Sequence, residues 1–167
     1  MIDHDYLRLM LRYNRWMNRK LYDCAARLDE TRRHRDLGAF FKSLHGTFEH
    51  LVYGDTAWLY RFTGRSIEHL RPDQALYPDF AALRAERERL DDALDAWGAS
   101  VSAAWLAQDF TYYSPTYARH YTKPAWLLVT HLFNHQTHHR GQATTLLLQL
   151  GIDPGATDLP AVPADFL

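Results

Sequence analysis

The sequence predicts an all-α protein, a four-helix bundle, from three observations. Apolar residues recur at alternating spacings of three and four in four long blocks, which is the period of an amphipathic helix. Only one short region, just before the fourth block, has a pattern that suits β-strands. The chain has 167 residues, of which 47 % are hydrophobic, so it can form a single domain, residues 1–167, around a buried core.

The first two blocks, residues 3–28 and 37–63, each contain one polar residue in an otherwise apolar stripe, Asn14 and Asp55 respectively. The apolar members are Leu7, Met10, Met17, Leu21, Cys24 and Leu28 in the first block and Leu37, Phe41, Leu44, Phe48, Leu51, Trp58 and Phe62 in the second. The link between the blocks is short, so we expect the first two helices to be antiparallel neighbours.

The third block, residues 79–104, has Arg87 as its polar exception. Asp55 and Arg87 have opposite charges and are both predicted to face inward, which favours an ion pair across the bundle; the alternative is that each reaches solvent at a helix edge. The link 64–78 is long and contains two prolines, so it forms a long crossover that permits the second and third helices to run parallel.

The fourth block begins at Pro124 and ends at Gly151, residues typical of a helix start and of a helix end. Residues 108–123, just before it, are rich in tyrosine and threonine and predict a short hairpin or lid whose tyrosines could line a substrate entrance. The tail from Ile152 contains three prolines and is expected to be irregular.

Composition excludes several classes of partner. The 19 basic and 20 acidic side chains balance and form no long basic run, which argues against nucleic acid and anionic lipid. No apolar stretch suits a signal peptide or a membrane span, so no membrane partner is expected. The single cysteine cannot form an internal disulfide, and the cytoplasm is therefore the expected location.

The ten histidines are the unusual feature of the composition, and the fourth block concentrates four of them. His135 and His139 are one helical turn apart and face the bundle interior, whereas His131 and His138 fall toward the edge of the stripe. Ordinary histidines with satisfied hydrogen bonds are the alternative interpretation. Two adjacent buried imidazoles are costly without a partner, however, and a metal ion is the simplest one.

A third ligand should come from the second helix, which offers His45 and His50. His50 shares its face with small residues that allow close approach, so His50, His135 and His139 are the predicted ligands, and His45 is expected to contact solvent. Near the pair, Arg140 is expected to form an ion pair in solvent or at an interface, and Gly141 to mark a close helix contact.

Three neutral imidazoles leave coordination positions open for water, a thiol or a carbonyl, which is typical of catalytic sites. Zinc or nickel suits this ligand set best, with iron, manganese and copper behind. Glu-x-x-His and His-Glu-x-x-His are both absent, which excludes the usual di-iron and zinc-protease patterns. Two hypotheses remain: a metal-dependent hydrolase or thiol transferase, and a non-catalytic stress-response protein in which the ion is structural.

The motifs His50-Leu-x-x-x-Asp55-x-x-Trp58 and Phe133-Asn-His135-Gln-Thr-His-His139-Arg-Gly-Gln142 resemble the DinB (damage-inducible) family of the DinB/YfiT-like superfamily, over nearly the whole chain. The resemblance implies a four-helix bundle in which His50, His135 and His139 bind a divalent metal. It also implies a homodimer and, from activities in the wider superfamily, a low-molecular-weight thiol as substrate or cosubstrate, as in bacillithiol transfer and mycothiol-dependent isomerisation.

Overall fold

Four long helices form most of the molecule in a computed structural model that describes residues 2–71, 76–77 and 79–166. The elements, in order, are α1 (His4–Ala26), α2 (Glu30–His34), α3 (Leu44–Phe62), α4 (Phe80–Ser100), α5 (Ala103–Ala107), β1 (Asp109–Ser114), β2 (Arg119–Pro124) and α6 (Ala125–Gln149), with single 3-10 turns at Pro115–Tyr117, Leu159–Ala161 and Ala164–Phe166. The predicted first to fourth helices correspond to α1, α3, α4 and α6. The mostly helical class is therefore confirmed, with one small two-stranded sheet added.

Helix starts are set by side-chain caps. The first five helices each follow an aspartate or serine whose side chain accepts a hydrogen bond from the backbone N–H three residues later. The prediction that the second helix begins at Leu37 was wrong, because Ser43 caps α3 and the preceding residues form a turn. The expected end of the fourth helix at Gly151 is confirmed, and this glycine has a φ of 76° just after the C-cap residue.

Residue contacts give the directions of the long helices. Helix α3 runs antiparallel to α6, since His50 lies beside His139 and Trp58 beside His131. It runs parallel to α4, since Asp55 pairs with Arg87 and, farther along both helices, the ring of Phe62 stacks on that of Trp97 at 4.9 Å. The link between them, predicted as a long crossover over residues 64–78, lies partly outside the described residues.

A buried ion pair joins α3 to α4, as the sequence predicted. Nη1 of Arg87 lies 2.8 Å from Oδ2 of Asp55, and the two side chains are 2 % and 0 % exposed. Nη2 of the same arginine lies 2.8 Å from Oδ1 of Asp91, which also accepts a hydrogen bond from Nδ2 of Asn18 on α1. The network therefore connects three of the four long helices, and each carboxylate in it has a polar partner.

Two expectations about the fourth helix were wrong. Arg140 is buried rather than at the surface: its guanidinium donates to Oδ1 of Asn14 and lies 5.0 Å from the ring centroid of Tyr13, because α1 packs against this face of α6. Gly141 marks no close helix contact, since a Cβ there would meet open space. The face of α6 that carries Gly141 is exposed.

The tyrosine-rich segment forms the predicted hairpin. Strands β1 and β2 are antiparallel, with Tyr112 opposite Tyr121. The ring of Tyr112 meets the edge of Trp58 on α3 at a centroid distance of 5.2 Å, so the hairpin packs beside the end of α3. In the described part of the chain, the helices include none with the combination of length and apolar character that a membrane crossing requires.

Replacing Asp55 by alanine leaves the Arg87 guanidinium with only one of its two buried carboxylates. We expect the free energy of unfolding to fall by about 3–5 kcal/mol, because an incompletely compensated charge stays in the core. Urea denaturation followed by circular dichroism measures the change. The control is Asp92→Ala, which removes an exposed partner of Arg15 and should cost less than about 1 kcal/mol. Equal losses in the two variants would contradict a stabilising role for the buried pair.

Candidate metal centre

The structure brings the three predicted histidines together between α3 and α6. His50, His135 and His139 each offer one ring nitrogen, and these atoms lie within 4.8 Å of one another. Nε2 of His50 is 3.1 Å from Nε2 of His135, and the His139 ring stands edge-on to both of the others at centroid distances of 4.5 Å. The other two histidines of the fourth helix, His131 and His138, do not belong to this group.

Gly54 determines how closely α3 approaches His135. A Cβ on Gly54 would lie 2.7 Å from Cε1 of the His135 ring and 3.3 Å from its Nδ1, closer than real side chains allow. This glycine lies one helical turn after His50, and its missing side chain leaves the room that the His135 ring occupies. Gly54, one of the small residues on the His50 face, therefore has the role that the sequence suggested.

Phe41 covers the outer side of the site. Its ring lies nearly parallel to that of His50, at 18° and a centroid distance of 3.9 Å, and it meets the edge of His139 at 5.5 Å. The turn that carries Phe41 can rest on the first turn of α3 because Gly46 has no Cβ, which would lie 2.5 Å from the Phe41 carbonyl oxygen. Sequence reasoning placed Phe41 in a helical core stripe and missed this contact.

A hydrogen bond fixes the tautomer of His139. Nδ1 of His139 lies 2.7 Å from Oε1 of Gln142, an oxygen that can only accept, so Nδ1 carries the proton. The lone pair of His139 is then on Nε2, the nitrogen free to bind an ion. Such outer partners commonly orient metal-binding imidazoles. No role was predicted for Gln142, although its spacing of three residues places it on the same face of α6 as His139.

Burial keeps these imidazoles neutral. It lowers the pKa of His135 to about 3, with the neighbouring histidines adding to the effect, and that of His50 to about 4, with His139 adding. The pKa of His139 is also lowered by burial. Nδ1 of His135 is itself buried and has no hydrogen-bond partner among the described residues. At neutral pH all three rings are therefore in the form that metals bind.

The geometry of the donor atoms suits a small divalent cation. Two nitrogens that each lie about 2.0–2.1 Å from a tetrahedral zinc ion are about 3.3 Å apart. The Nε2 atoms of His50 and His135, at 3.1 Å, are already close to this separation. The three residues therefore fit the ion that the sequence suggested, and no carboxylate is needed to complete the donor set.

A second group of possible ligands comprises Glu30, His34 and His45. His45 is 2 % exposed, so the expectation that it contacts solvent was wrong; α2 packs against α3 here, and the rings of His34 and His45 stack at 4.1 Å. The Glu30 carboxylate already pairs with Arg33 at 3.0 Å and accepts the backbone N–H of Phe80. Because the Glu30 carboxylate already has these two partners, the three-histidine group is the better candidate for a metal centre.

A cavity of about 400 Å³ opens beside the three histidines. His50 and His135 line it, and Pro115, at the tip of the hairpin, borders it as well. Tyr112 and Tyr113 line an adjoining space, and Arg61 borders both. A small molecule in the cavity would therefore touch two of the three imidazoles. The hairpin borders this cavity through Pro115, whereas the tyrosines that were expected to line an entrance, Tyr112 and Tyr113, line the adjoining space.

Comparison with known proteins gives two matches of nearly full length. The model of the DinB family matches residues 1–164. The chain is also similar to a protein of Bacillus subtilis (strain 168) named Protein DinB, with 22 % identity over 163 residues that cover 92 % of this chain and 91 % of the relative. The family match spans all four long helices and includes the three histidines.

The metal-free protein should lose stability as the pH falls from about 6.5 to about 4. In that range the unfolded chain protonates His50 and His135, whose ordinary pKa is 6.5, while the folded chain keeps them neutral. Unfolding then takes up protons, and the free energy of unfolding decreases as the pH is lowered. Urea denaturation in the presence of a chelator measures this slope. The variant His50→Gln/His135→Gln should show a shallower slope, and an unchanged slope would contradict the assignment.

A methyl group at Gly54 should disturb the centre, because it would overlap the His135 ring. We expect Gly54→Ala to displace this ring and to weaken metal binding at least tenfold, as measured by competition with a chromophoric chelator. Gly141→Ala is the matched control. It lies in α6 where a Cβ meets open space, and it should retain metal binding and stabilise the helix by up to about 1 kcal/mol. Equal metal affinity in both variants would refute the role of Gly54.

Proposed function

This chain belongs to the DinB family, and on that premise we propose that it is a divalent-metal-binding protein whose ligands are His50, His135 and His139. The observation that carries the proposal is the convergence of three neutral imidazoles, one buried and two half-buried, from two antiparallel helices. We further propose that the chain is a single four-helix bundle domain, with α1, α3, α4 and α6 as its four members, and that it acts as a homodimer.

Each ligand has a defined part in holding the ion. His50 and His135 present Nε2 atoms that face each other, and His139 presents Nε2 because Gln142 occupies its other nitrogen. Imidazole donors favour zinc or nickel, with iron and manganese as weaker alternatives. When bound, such an ion supplies Lewis acidity toward water, a carbonyl or a thiol. The chain's own residues orient the donors and, through Phe41, cover one side of the centre.

The cavity beside His50 and His135 favours an enzyme, of the metal-dependent hydrolase or thiol S-transferase type. An ion that only fastened α3 to α6 would need no access for small molecules, whereas a catalytic ion requires it. Cys24, the chain's one cysteine, is on α1 beside Trp16 and Lys20, outside this cavity. A thiol that reacts at the centre would therefore be a small-molecule cosubstrate.

Elemental analysis of protein purified without an affinity tag tests the metal claim. We expect about one zinc or nickel ion per chain, or stoichiometric loading of the metal-free protein with either ion. His135→Ala should lower the affinity by more than the 10–100-fold that loss of an outer hydrogen-bond partner costs. Its control is His138→Ala, an exposed neighbour on the same helix that should retain the ion. Wild-type protein that neither carries nor takes up metal would refute the proposal.

Access to the ion distinguishes the enzyme from the structural alternative. Protein loaded with manganese should enhance the relaxation of water protons, because water exchanges at the open positions. Removal of the ion by a chelator should abolish hydrolase or thiol-transfer activity without unfolding the chain. If the loaded protein shows no water exchange, and the metal-free protein unfolds, the ion is structural.

A further inference from the structure

Arg61 lines the same cavity as His50 and His135 and lies about three helical turns farther along α3 than His50. It belongs to the last turn of α3, and its guanidinium carbon lies 4.8 Å from the ring centroid of Trp58 and 5.4 Å from that of Tyr112. The rings of Trp58 and Tyr112 pack against the flat face of the Arg61 guanidinium. The edge of the guanidinium, which carries the hydrogen-bond donors, therefore stays available to a ligand.

This arginine lacks the partners that other arginines of the chain have. Arg15, Arg84 and Arg87 each pair with at least one carboxylate. Among the residues that the structure describes, no carboxylate forms an ion pair with Arg61, and its Nε is buried without a hydrogen-bond partner. Burial lowers the pKa of the group, the sign of a cation that is desolvated more than it is compensated.

The described residues that line the cavity do not supply the missing anion. Apart from Arg61, they are histidines, aromatic residues, and apolar or small residues. None of them is acidic. Glu68 borders the adjoining space and makes no ion pair with Arg61. A partly desolvated cation that faces an apolar and aromatic cavity is most readily compensated by an anion that enters from solvent.

We infer that the cavity binds a small organic carboxylate, whose carboxylate group pairs with Arg61 while its other end faces the three histidines. A carboxylate suits the site better than a phosphate, because one guanidinium among neutral imidazoles compensates one negative charge and matches the carboxylate fork. The assignment of a carboxylate to the end of the ligand that pairs with Arg61 depends on Arg61 alone. The expectation that the other end of the ligand lies beside a metal ion rests on the proposed function.

The spacing within the cavity limits the shape of the ligand. His131 contacts Trp58 and lies one turn of α6, about 6 Å, from His135. Because the Arg61 guanidinium lies over the same tryptophan, its distance from the histidine centre is on the order of 10 Å. The ligand should therefore be elongated, with the carboxylate at one end and apolar or aromatic groups against Trp58.

Binding of simple carboxylates by the zinc-loaded protein tests this inference. The probes are phenylacetate, 4-phenylbutyrate and hexanoate, each compared with its primary amide by ligand-detected NMR and titration calorimetry. We expect at least one carboxylate to bind about tenfold or more tightly than its amide. Arg61→Gln should remove that preference, and Arg61→Lys should restore part of it. Arg65→Gln is the matched control, since Arg65 stacks on Tyr60 and does not line the cavity.

Three results would overturn the inference: no carboxylate preference in the wild type, an equal loss in Arg61→Gln and Arg65→Gln, or tighter binding of phenyl phosphate than of any carboxylate. The same titrations on His135→Ala without metal separate this inference from the proposed function. If the carboxylate preference persists there and still depends on Arg61, the anion site stands even if no metal binds. Circular dichroism of each variant confirms that it is folded.

Discussion

The missing side chain at Gly54 is the constraint on which the candidate metal centre depends. A Cβ at this position would lie 2.7 Å from Cε1 of His135, in the space that the imidazole ring occupies. The absence of a side chain at Gly54 gives that space to the His135 ring. Because α3 and α6 are antiparallel, the same register that places Gly54 against His135 also places His50 against His139.

A different face of α3 is held by the buried ion pair. Asp55 follows Gly54 in the chain, so its side chain projects about 100° around the helix, toward α4 and Arg87. Buried ion pairs are often little better than apolar packing for stability, but they specify the register because a shifted helix would leave a charge unpaired. Two adjacent residues thus fix α3 against α6 through close contact and against α4 through charge.

Helical phase, together with the small residues on the His50 face, selected the three histidines that the structure brings together, and it gave the Asp55–Arg87 pair as one of two alternatives. It failed where the outcome depends on a second element. His45 and Arg140 face directions that looked solvent-exposed, but α2 covers the first and α1 the second. Phe41 was assigned to the helix that follows it, although Ser43 caps that helix and leaves Phe41 in the preceding turn.

The cavity has neutral imidazoles at one end and the charged guanidinium of Arg61 at the other. At one end, burial favours the neutral form of the imidazoles, so at neutral pH an ion can bind without first taking a proton from an imidazolium. At the other end, Arg61 keeps its charge, since guanidinium groups remain protonated even when burial lowers their pKa. An elongated anion of the proposed kind would therefore be oriented by its charge before its far end reached the histidines. Such positioning is a large part of what an enzyme contributes when the bound ion supplies the reactivity.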